Sequence, residues 1–189
     1  MPLKRICLML GLLVAAAAGG AAQTPATPGG IKVAKDNGVT EANIVAYLAF
    51  GDSVELQLAQ LAQAKATDPR VKDYATMLAN DHRDHLGKVL HLMTGASHIG
   101  SQPMANDSDG GRSLVLLNSL TSMPAGTPWD AMFVRSQIRQ HQSAIDALTA
   151  MRRQVRAVDL RDLVDATLLA LTKHRDSGRS VAILIGVRW

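Results

Sequence analysis

The chain has 189 residues and a formal net charge of +4, with 20 basic and 16 acidic side chains. Because aromatic residues make up only 3% of the sequence and the basic residues are scattered, the composition gives little support to nucleic-acid binding. The one cysteine, Cys7, lies in an apolar N-terminal segment, so a metal site elsewhere in the chain must be built from His, Asp, Glu or Met.

Residues 1–22 have the layout of a secretory signal peptide. Lys4 and Arg5 precede an apolar run over residues 6–18, and small residues follow up to Ala22. We therefore expect cleavage after Ala22 and export to the periplasm. Association with the outer membrane is left open.

The mature chain is expected to form one domain behind a flexible lead-in. Residues 23–39 are rich in Pro, Gly and Thr and have no sustained period, whereas residues 40–189 are long enough for one domain with a sizeable core. No later stretch approaches ~20 uninterrupted apolar residues, so the mature chain is expected to lack a transmembrane helix.

Four helices are predicted from residues typical of helix starts and ends. The first follows an N-cap at Thr40 and runs to about Ala66, and the second has its N-cap at Asp68 and ends at Gly95. A third helix is predicted to begin with an N-cap at Thr127. The fourth begins at Asp159 and ends between Gly178 and Gly186.

The connection between the second and third helices, from Ser97 to Gly126, contains the stretch SQPMANDSDGG, which is expected to be neither helical nor strand-like. Its length of about 30 residues exceeds the needs of a turn and can travel the full height of a bundle. The predicted fold class is therefore all-α: an antiparallel four-helix bundle, ferritin-like, with a long connection between helices two and three.

Histidines interrupt the predicted core face of the helices. Steps of three and four residues trace the face of each helix that turns toward the bundle axis, and each such stripe is apolar except near its middle. The ionisable residues in these stripes are Glu55 in helix one, His82 and His85 in helix two, His141 in helix three and His174 in helix four.

These interruptions also lie at similar heights along the predicted bundle. Glu55 is 13 residues before the turn at Asp68 and His82 is 14 after it, and His141 and His174 are 18 before and 15 after the turn at Asp159. At ~1.5 Å per residue, each pair lies within about one helical turn. The sequence thus predicts a single polar layer across the bundle.

Buried ionisable groups must bind one another, water or an ion. Neutral imidazoles with one carboxylate suit a transition metal such as Zn, Fe, Cu or Ni. The candidate ligands are Glu55, His82, His85, His141, His174 and Asp81. Asp81 is less central, and two roles remain open for it: ligand, or acceptor of a histidine N–H.

The stretches VKDYATMLANDHRDHL, WDAMFVRSQIRQHQSAID and LTKHRDSG, together with Glu55, resemble the exported bacterial family known as domain of unknown function 4142. The resemblance covers about residues 45 to 185 and implies a ferritin-like fold, often labelled an outer membrane protein, without an established reaction. Unlike di-iron proteins with this fold, the sequence contains no Glu-x-x-His pair.

Three functions are compatible with these patterns. The favoured hypothesis is a non-enzymatic exported bundle that binds a transition metal in its His/Glu layer. The first alternative is a structural or stress-related periplasmic protein with a metal-free polar network, for which a partner protein is unknown. A metal-dependent oxidoreductase is third, because the carboxylate set for a di-iron centre is incomplete.

Overall fold

The computed structural model describes residues 38–95, 97–103 and 108–189, and the side chains of residues 108 and 109 are not described. The predicted signal peptide and nearly all of the lead-in therefore lie outside the described residues. The described helices are α1 (Glu41–Lys65), α2 (Pro69–Thr94), α3 (Ser108–Ser122), α4 (Thr127–Arg152) and α5 (Val158–Leu184).

The predicted starts of the first two helices are confirmed. Thr40 caps α1 through a capping box, in which its side chain accepts from Asn43 N and the Asn43 side chain accepts from Thr40 N. Asp68 caps α2 by accepting from Arg70 N, and Pro69 occupies the first turn, where it loses no helical hydrogen bond.

The later helix starts differ slightly from the prediction. The N-cap of α4 is Gly126, with a φ of 140°, so Thr127 is the first helical residue and not the cap. A φ in this region favours glycine, which explains why the chain turns one residue earlier than the Thr-Pro signal indicated. Helix α5 begins at Val158, one residue before the expected Asp159.

Hydrogen bonds between turns and helix ends define the topology of the bundle. Asp130, in the first turn of α4, accepts from Thr67 N in the α1–α2 turn at 3.0 Å. At the opposite end, Glu41 at the start of α1 accepts from Ala157 N in the α4–α5 turn at 2.7 Å. Helices α2 and α4 therefore run in the same direction, and the chain between them travels the full height of the bundle, as in ferritin-like arrangements.

The prediction that SQPMANDSDGG lacks helical structure is wrong for its last four residues, 108–111, and the connection contains a helix that was not predicted from the sequence. Helix α3 occupies Ser108–Ser122 and packs against α1 and α4. Leu120 is fully buried, and its carbonyl accepts from Lys65 Nζ at 3.0 Å and Trp129 Nε1 at 2.9 Å. The start of α3 contains glycines, which have low helix propensity, so the local sequence gave little indication of a helix. Tertiary contacts stabilise it instead.

The buried apolar residues form two clusters, one toward each end of the bundle. One cluster surrounds Leu58, Leu78 and Phe133, and the other surrounds Ile44, Leu148 and Leu160. The polar layer lies between them, since His82 and His141 fall between members of the two clusters along their own helices. None of the described helices has the length and apolar character required to cross a membrane.

Candidate metal centre

Three buried histidines from three helices converge in the middle of the bundle. His82 on α2, His141 on α4 and His174 on α5 each offer one ring nitrogen, and these atoms lie within 4.8 Å of one another. The ring centroids are 5.1 to 5.8 Å apart. Each residue is at most 5% exposed. Imidazole ligands around one ion are about 3.3 Å apart at metal–nitrogen distances of ~2.0 to 2.1 Å, so a small contraction would complete such a site.

One nitrogen of each ring is held by an oxygen atom outside the cluster. His82 Nδ1 is 2.9 Å from Asp52 Oδ1, His141 Nδ1 is 2.8 Å from Gln137 O, and His174 Nε2 is 2.9 Å from Asp81 Oδ2. Because carboxylates and carbonyls accept hydrogen bonds, these nitrogens donate. Such hydrogen bonds fix the ring orientation and leave the second nitrogen as a lone-pair donor.

The second nitrogens have no hydrogen-bond partner among the described residues. These buried atoms are His82 Nε2, His141 Nε2 and His174 Nδ1. Three buried ring nitrogens left without hydrogen-bond partners are costly, and native proteins rarely tolerate them without an unseen water or ion. The donor set therefore fits a transition metal, for which imidazole is a common ligand.

Burial and neighbouring charges shift the pKa values of the three histidines in different directions. Burial, together with the charges of His82 and His174, places the pKa of His141 well below its ordinary value. Burial likewise lowers the pKa of His174 to about 4, against the opposing effect of Asp81. Burial also opposes protonation of His82, but the hydrogen bond to Asp52 and the charges of Glu55, Asp52 and Asp81 outweigh it and raise its pKa. His141 and His174 are thus held neutral, the form that binds metal.

Glu55 contributes a carboxyl group to the same polar layer. Its Oε2 atom is buried without a hydrogen-bond partner among the described residues. Burial raises the pKa of Glu55, although the charge of His82 and the Gln137 side chain act in the opposite direction. Glu55 is not one of the three residues whose donor atoms converge, so its assignment as a ligand stays a prediction.

His85 lies beside this centre and has other partners. Its Nδ1 is 2.6 Å from Asp52 Oδ2, and its Nε2 is 2.6 Å from Thr167 Oγ1. Thr167 Oγ1 is also 2.7 Å from Leu163 O, so the hydroxyl lies between the His85 ring and the backbone of α5. Since both ring nitrogens are engaged, His85 supports Asp52 and does not join the three-histidine group.

Asp81 occupies the edge of the site. Its Oδ2 atom accepts from buried His174 and is 3.5 Å from Lys173 Nζ, and its side chain is 37% exposed. Burial opposes ionisation of Asp81, but the hydrogen bond from His174 and the charges of His174 and Lys173 lower its pKa. Of the two roles left open by the sequence, the geometry favours acceptor of a histidine N–H.

Asp52 was not among the residues singled out from the sequence. Its carboxylate is 5% exposed and joins His82 to His85. A signal was present, because Asp52 precedes Glu55 by three residues and therefore lies on the same side of α1. The predicted core stripe of α1 passes through Glu55 but not through Asp52, so the pattern did not single out Asp52.

A cavity of about 460 Å³ reaches the polar layer from the side formed by α1, α3 and α4. Glu55, His82 and His141 lie in its wall together with Asp52 and His85. The cavity therefore lies beside the candidate centre, whose unpartnered ring nitrogens remain buried.

Together, the fold and this site define an all-helical bundle with a buried three-histidine cluster. The chain belongs to the family described as Domain of unknown function (DUF4142), whose model matches residues 24–181. This confirms the resemblance seen in the sequence. No curated protein sequence matches the chain.

Two solved structures have a similar fold. A DUF305 fragment from Deinococcus radiodurans is 16% identical, with a TM-score of 0.63, over 77% of this chain and 95% of that chain. CopM in its Cu(I)-bound form is 14% identical, with a TM-score of 0.61, over 76% of this chain and 96% of that chain. At these identities the comparisons show a shared fold.

Proposed function

We propose that this protein is an exported helical bundle that binds one transition-metal ion through His82, His141 and His174. The observation that carries the proposal is the convergence of three buried ring nitrogens without hydrogen-bond partners among the described residues. In a metal-free polar network these nitrogens would be expected to contact donors within the protein. Their arrangement therefore favours an ion over a purely structural network.

Glu55 is assigned a secondary role in this proposal. Its unpartnered carboxyl oxygen lies in the wall of the cavity that also reaches His82 and His141, so it offsets the charge of the ion or supplies a fourth ligand. Asp52, Gln137 and Asp81 hold the three histidines by their other nitrogens. Such outer contacts tune the affinity of a metal site.

Copper and zinc are the first metals to test. Imidazole ligands suit both, and the similar fold of CopM, which is described in a Cu(I)-bound form, supports the inclusion of copper. The test is metal content after dialysis, measured by elemental analysis on the mature chain and on His141→Ala. We expect about one ion per wild-type chain and loss of that ion in the variant.

A matched control is His91→Ala, because His91 lies on α2 outside the three-histidine group and is exposed. This variant should retain the wild-type metal content. Equal metal content in His141→Ala and His91→Ala would exclude the proposed site and favour the metal-free polar network.

We also propose a periplasmic location, which rests on the signal-like sequence of residues 1–22. Mass spectrometry of the protein from a periplasmic extract should give an N-terminus at Gln23. Recovery of the chain from the cytoplasm with Met1 intact would contradict this location. Comparison of the soluble extract with the outer-membrane fraction tests the association left open by the sequence.

A further inference from the structure

The side chain of Gln137 is fully buried in the bundle, one helical turn before His141 on α4. Neither of its amide atoms, Nε2 or Oε1, has a hydrogen-bond partner among the described residues. The backbone carbonyl of Gln137 accepts from His141 Nδ1 at 2.8 Å, but this contact does not involve the amide group. A buried amide without partners is costly, so we expect a further group to contact it.

Glu55 lies beside this amide. Burial raises the pKa of Glu55, while the charge of His82 and the Gln137 side chain act against it, so these three side chains lie close together. The Oε2 atom of Glu55 is also buried without a hydrogen-bond partner among the described residues. The amide of Gln137 and the carboxyl group of Glu55 thus lie next to the three-histidine centre with their polar atoms unsatisfied.

A metal ion alone does not satisfy these atoms. An ion binds electron-pair donors, so it cannot accept a hydrogen bond from Gln137 Nε2. The Glu55 carboxyl group can accept that bond, but beside a bound cation it is ionised, and a carboxylate has no hydrogen to donate. Gln137 Oε1 therefore still needs a donor.

The ion needs a further ligand as well. Three ring nitrogens converge at the centre, whereas zinc in proteins is almost always four-coordinate. Zinc sites with three protein ligands complete their coordination with water. A water molecule whose oxygen binds the ion has two hydrogens, which it can donate to Gln137 Oε1 and Glu55 Oε2. One molecule would thus complete the coordination and supply the donor that the amide lacks.

We propose that the fourth ligand of the ion is a water molecule held by Gln137 and Glu55. This inference rests on the proposed metal function and assigns Gln137 and Glu55 as positioning residues, which act on the water and do not bind the ion. The centre would then keep an exchangeable position, unlike a structural zinc site, in which the protein supplies all four ligands.

Electron–nuclear double resonance of the copper(II)-loaded protein, recorded in H₂O and in D₂O, tests for this water. The wild type should show the couplings of three imidazole nitrogens and strongly coupled protons that disappear in D₂O, as expected for water bound directly to the ion. If Glu55 supplies the fourth ligand instead, the wild type should lack these exchangeable protons, and they should appear only in Glu55→Gln. That result would overturn the proposal.

Gln137→Leu tests the positioning role. Leucine has a similar volume and no polar atom to satisfy, so the metal-free variant should be at least as stable as the wild type in urea denaturation. Its zinc affinity should fall about 10- to 100-fold, as is typical for loss of an outer contact at a metal site, and the exchangeable-proton coupling should change.

Gln142→Leu is the matched control. Gln142 also lies on α4, but its side chain contacts Asp146 and Arg175. This variant should keep the zinc affinity and the spectrum of the wild type. An unchanged exchangeable-proton coupling in Gln137→Leu would give Gln137 a structural role alone and overturn its part in holding the water.

The same spectra separate this inference from the proposed metal function. Three imidazole couplings without exchangeable protons in the wild type would overturn the bound water and leave the metal function intact. Absence of bound metal from the wild type would overturn both.

Discussion

Asp52 Oδ1 on α1 lies 2.9 Å from His82 Nδ1 on α2, and among the described residues the other ring nitrogen, His82 Nε2, has no hydrogen-bond partner. The Asp52 carboxylate is 5% exposed, so the interaction is not strongly screened by water. The contact links the α1–α2 pair to the metal centre, although Asp52 itself is not one of the three converging residues.

Asp52→Asn should weaken metal binding while leaving the three histidines in place. An amide accepts with only one of its two side-chain atoms, so it cannot accept from both His82 and His85. We expect a 10- to 100-fold loss in affinity, as is typical for loss of an outer hydrogen bond to a metal ligand. Competition with a chromogenic chelator measures this loss.

The control for Asp52→Asn is Asp146→Asn, because Asp146 is an exposed residue of α4 that accepts from the neighbouring Gln142. Its metal affinity should equal that of the wild type. Equal affinities in both variants would show that Asp52 does not support the centre.

The stability of the metal-free protein should fall as the pH is lowered from 7 to 5. The pKa values of His141 and His174 are lowered in the folded state, so the unfolded chain binds more protons in this interval and is favoured by acid. The pKa of His174 is about 4 in the folded state and 6.5 in the unfolded chain. This difference alone should lower the free energy of unfolding at pH 5 by about 2 kcal/mol.

Two other groups act in the opposite direction. The raised pKa values of His82 and Glu55 favour the folded state at lower pH, so they reduce the net slope. Urea denaturation at several pH values measures the free energy of unfolding. His141→Gln removes one neutral histidine and should give a shallower pH dependence than the wild type. An equal or steeper dependence in this variant would contradict the assignment.

Asp130→Ala should destabilise the fold without changing metal affinity. The Asp130 carboxylate is 2% exposed and accepts from Thr67 N at 3.0 Å, Thr67 Oγ1 at 2.6 Å and Asp68 N at 2.9 Å. Loss of these charge-assisted bonds releases the first turn of α4 from the α1–α2 turn, so we expect about 2 kcal/mol of destabilisation in urea denaturation.

Asp159→Ala is the control for Asp130→Ala, because Asp159 also lies in the first turn of a helix but is exposed. It should cost less than about 1 kcal/mol. Similar losses in the two variants would mean that Asp130 acts only through its charge at the helix start.

Gly51→Ala and Gly178→Ala should change stability in opposite directions. Alanine at Gly51 meets no atom within 4 Å and removes a helix-interior glycine, which should stabilise the fold by about 0.5 to 1 kcal/mol. At Gly178 the added Cβ would lie 2.8 Å from Tyr74 Oη, whose hydroxyl donates to His174 O. Urea denaturation should therefore show a loss for Gly178→Ala, and destabilisation by Gly51→Ala would contradict the open space at that position.

The helices and the convergence of three histidines could be predicted from sequence because both depend on local periodicity. Steps of three and four residues place His82, His141 and His174 on core stripes, and the capping residues Thr40 and Asp68 fix the register of the first two helices. The direction of each helix was harder to predict, since similar heights result from either connection. It follows from the contacts of Asp130 and Glu41 at opposite ends.

Features that depend on tertiary contacts were not predicted. Helix α3 is stabilised by Lys65 of α1 and Trp129 of α4, which both donate hydrogen bonds to the Leu120 carbonyl. The separation of His85 from the three converging histidines depends on Asp52 and Thr167, which approach it from two other helices. Helical spacing places His82 and His85 on one face but carries no information about these partners.

X-ray absorption spectroscopy of the zinc-loaded protein tests the central claim most directly, because it counts the imidazole ligands around the ion. We predict three imidazole nitrogens at about 2.0 to 2.1 Å from one zinc ion in the wild type. His141→Ala should lose the ion or retain only two imidazoles. A bound ion with no more than one imidazole ligand, or an unchanged spectrum in His141→Ala, would contradict the three-histidine metal centre.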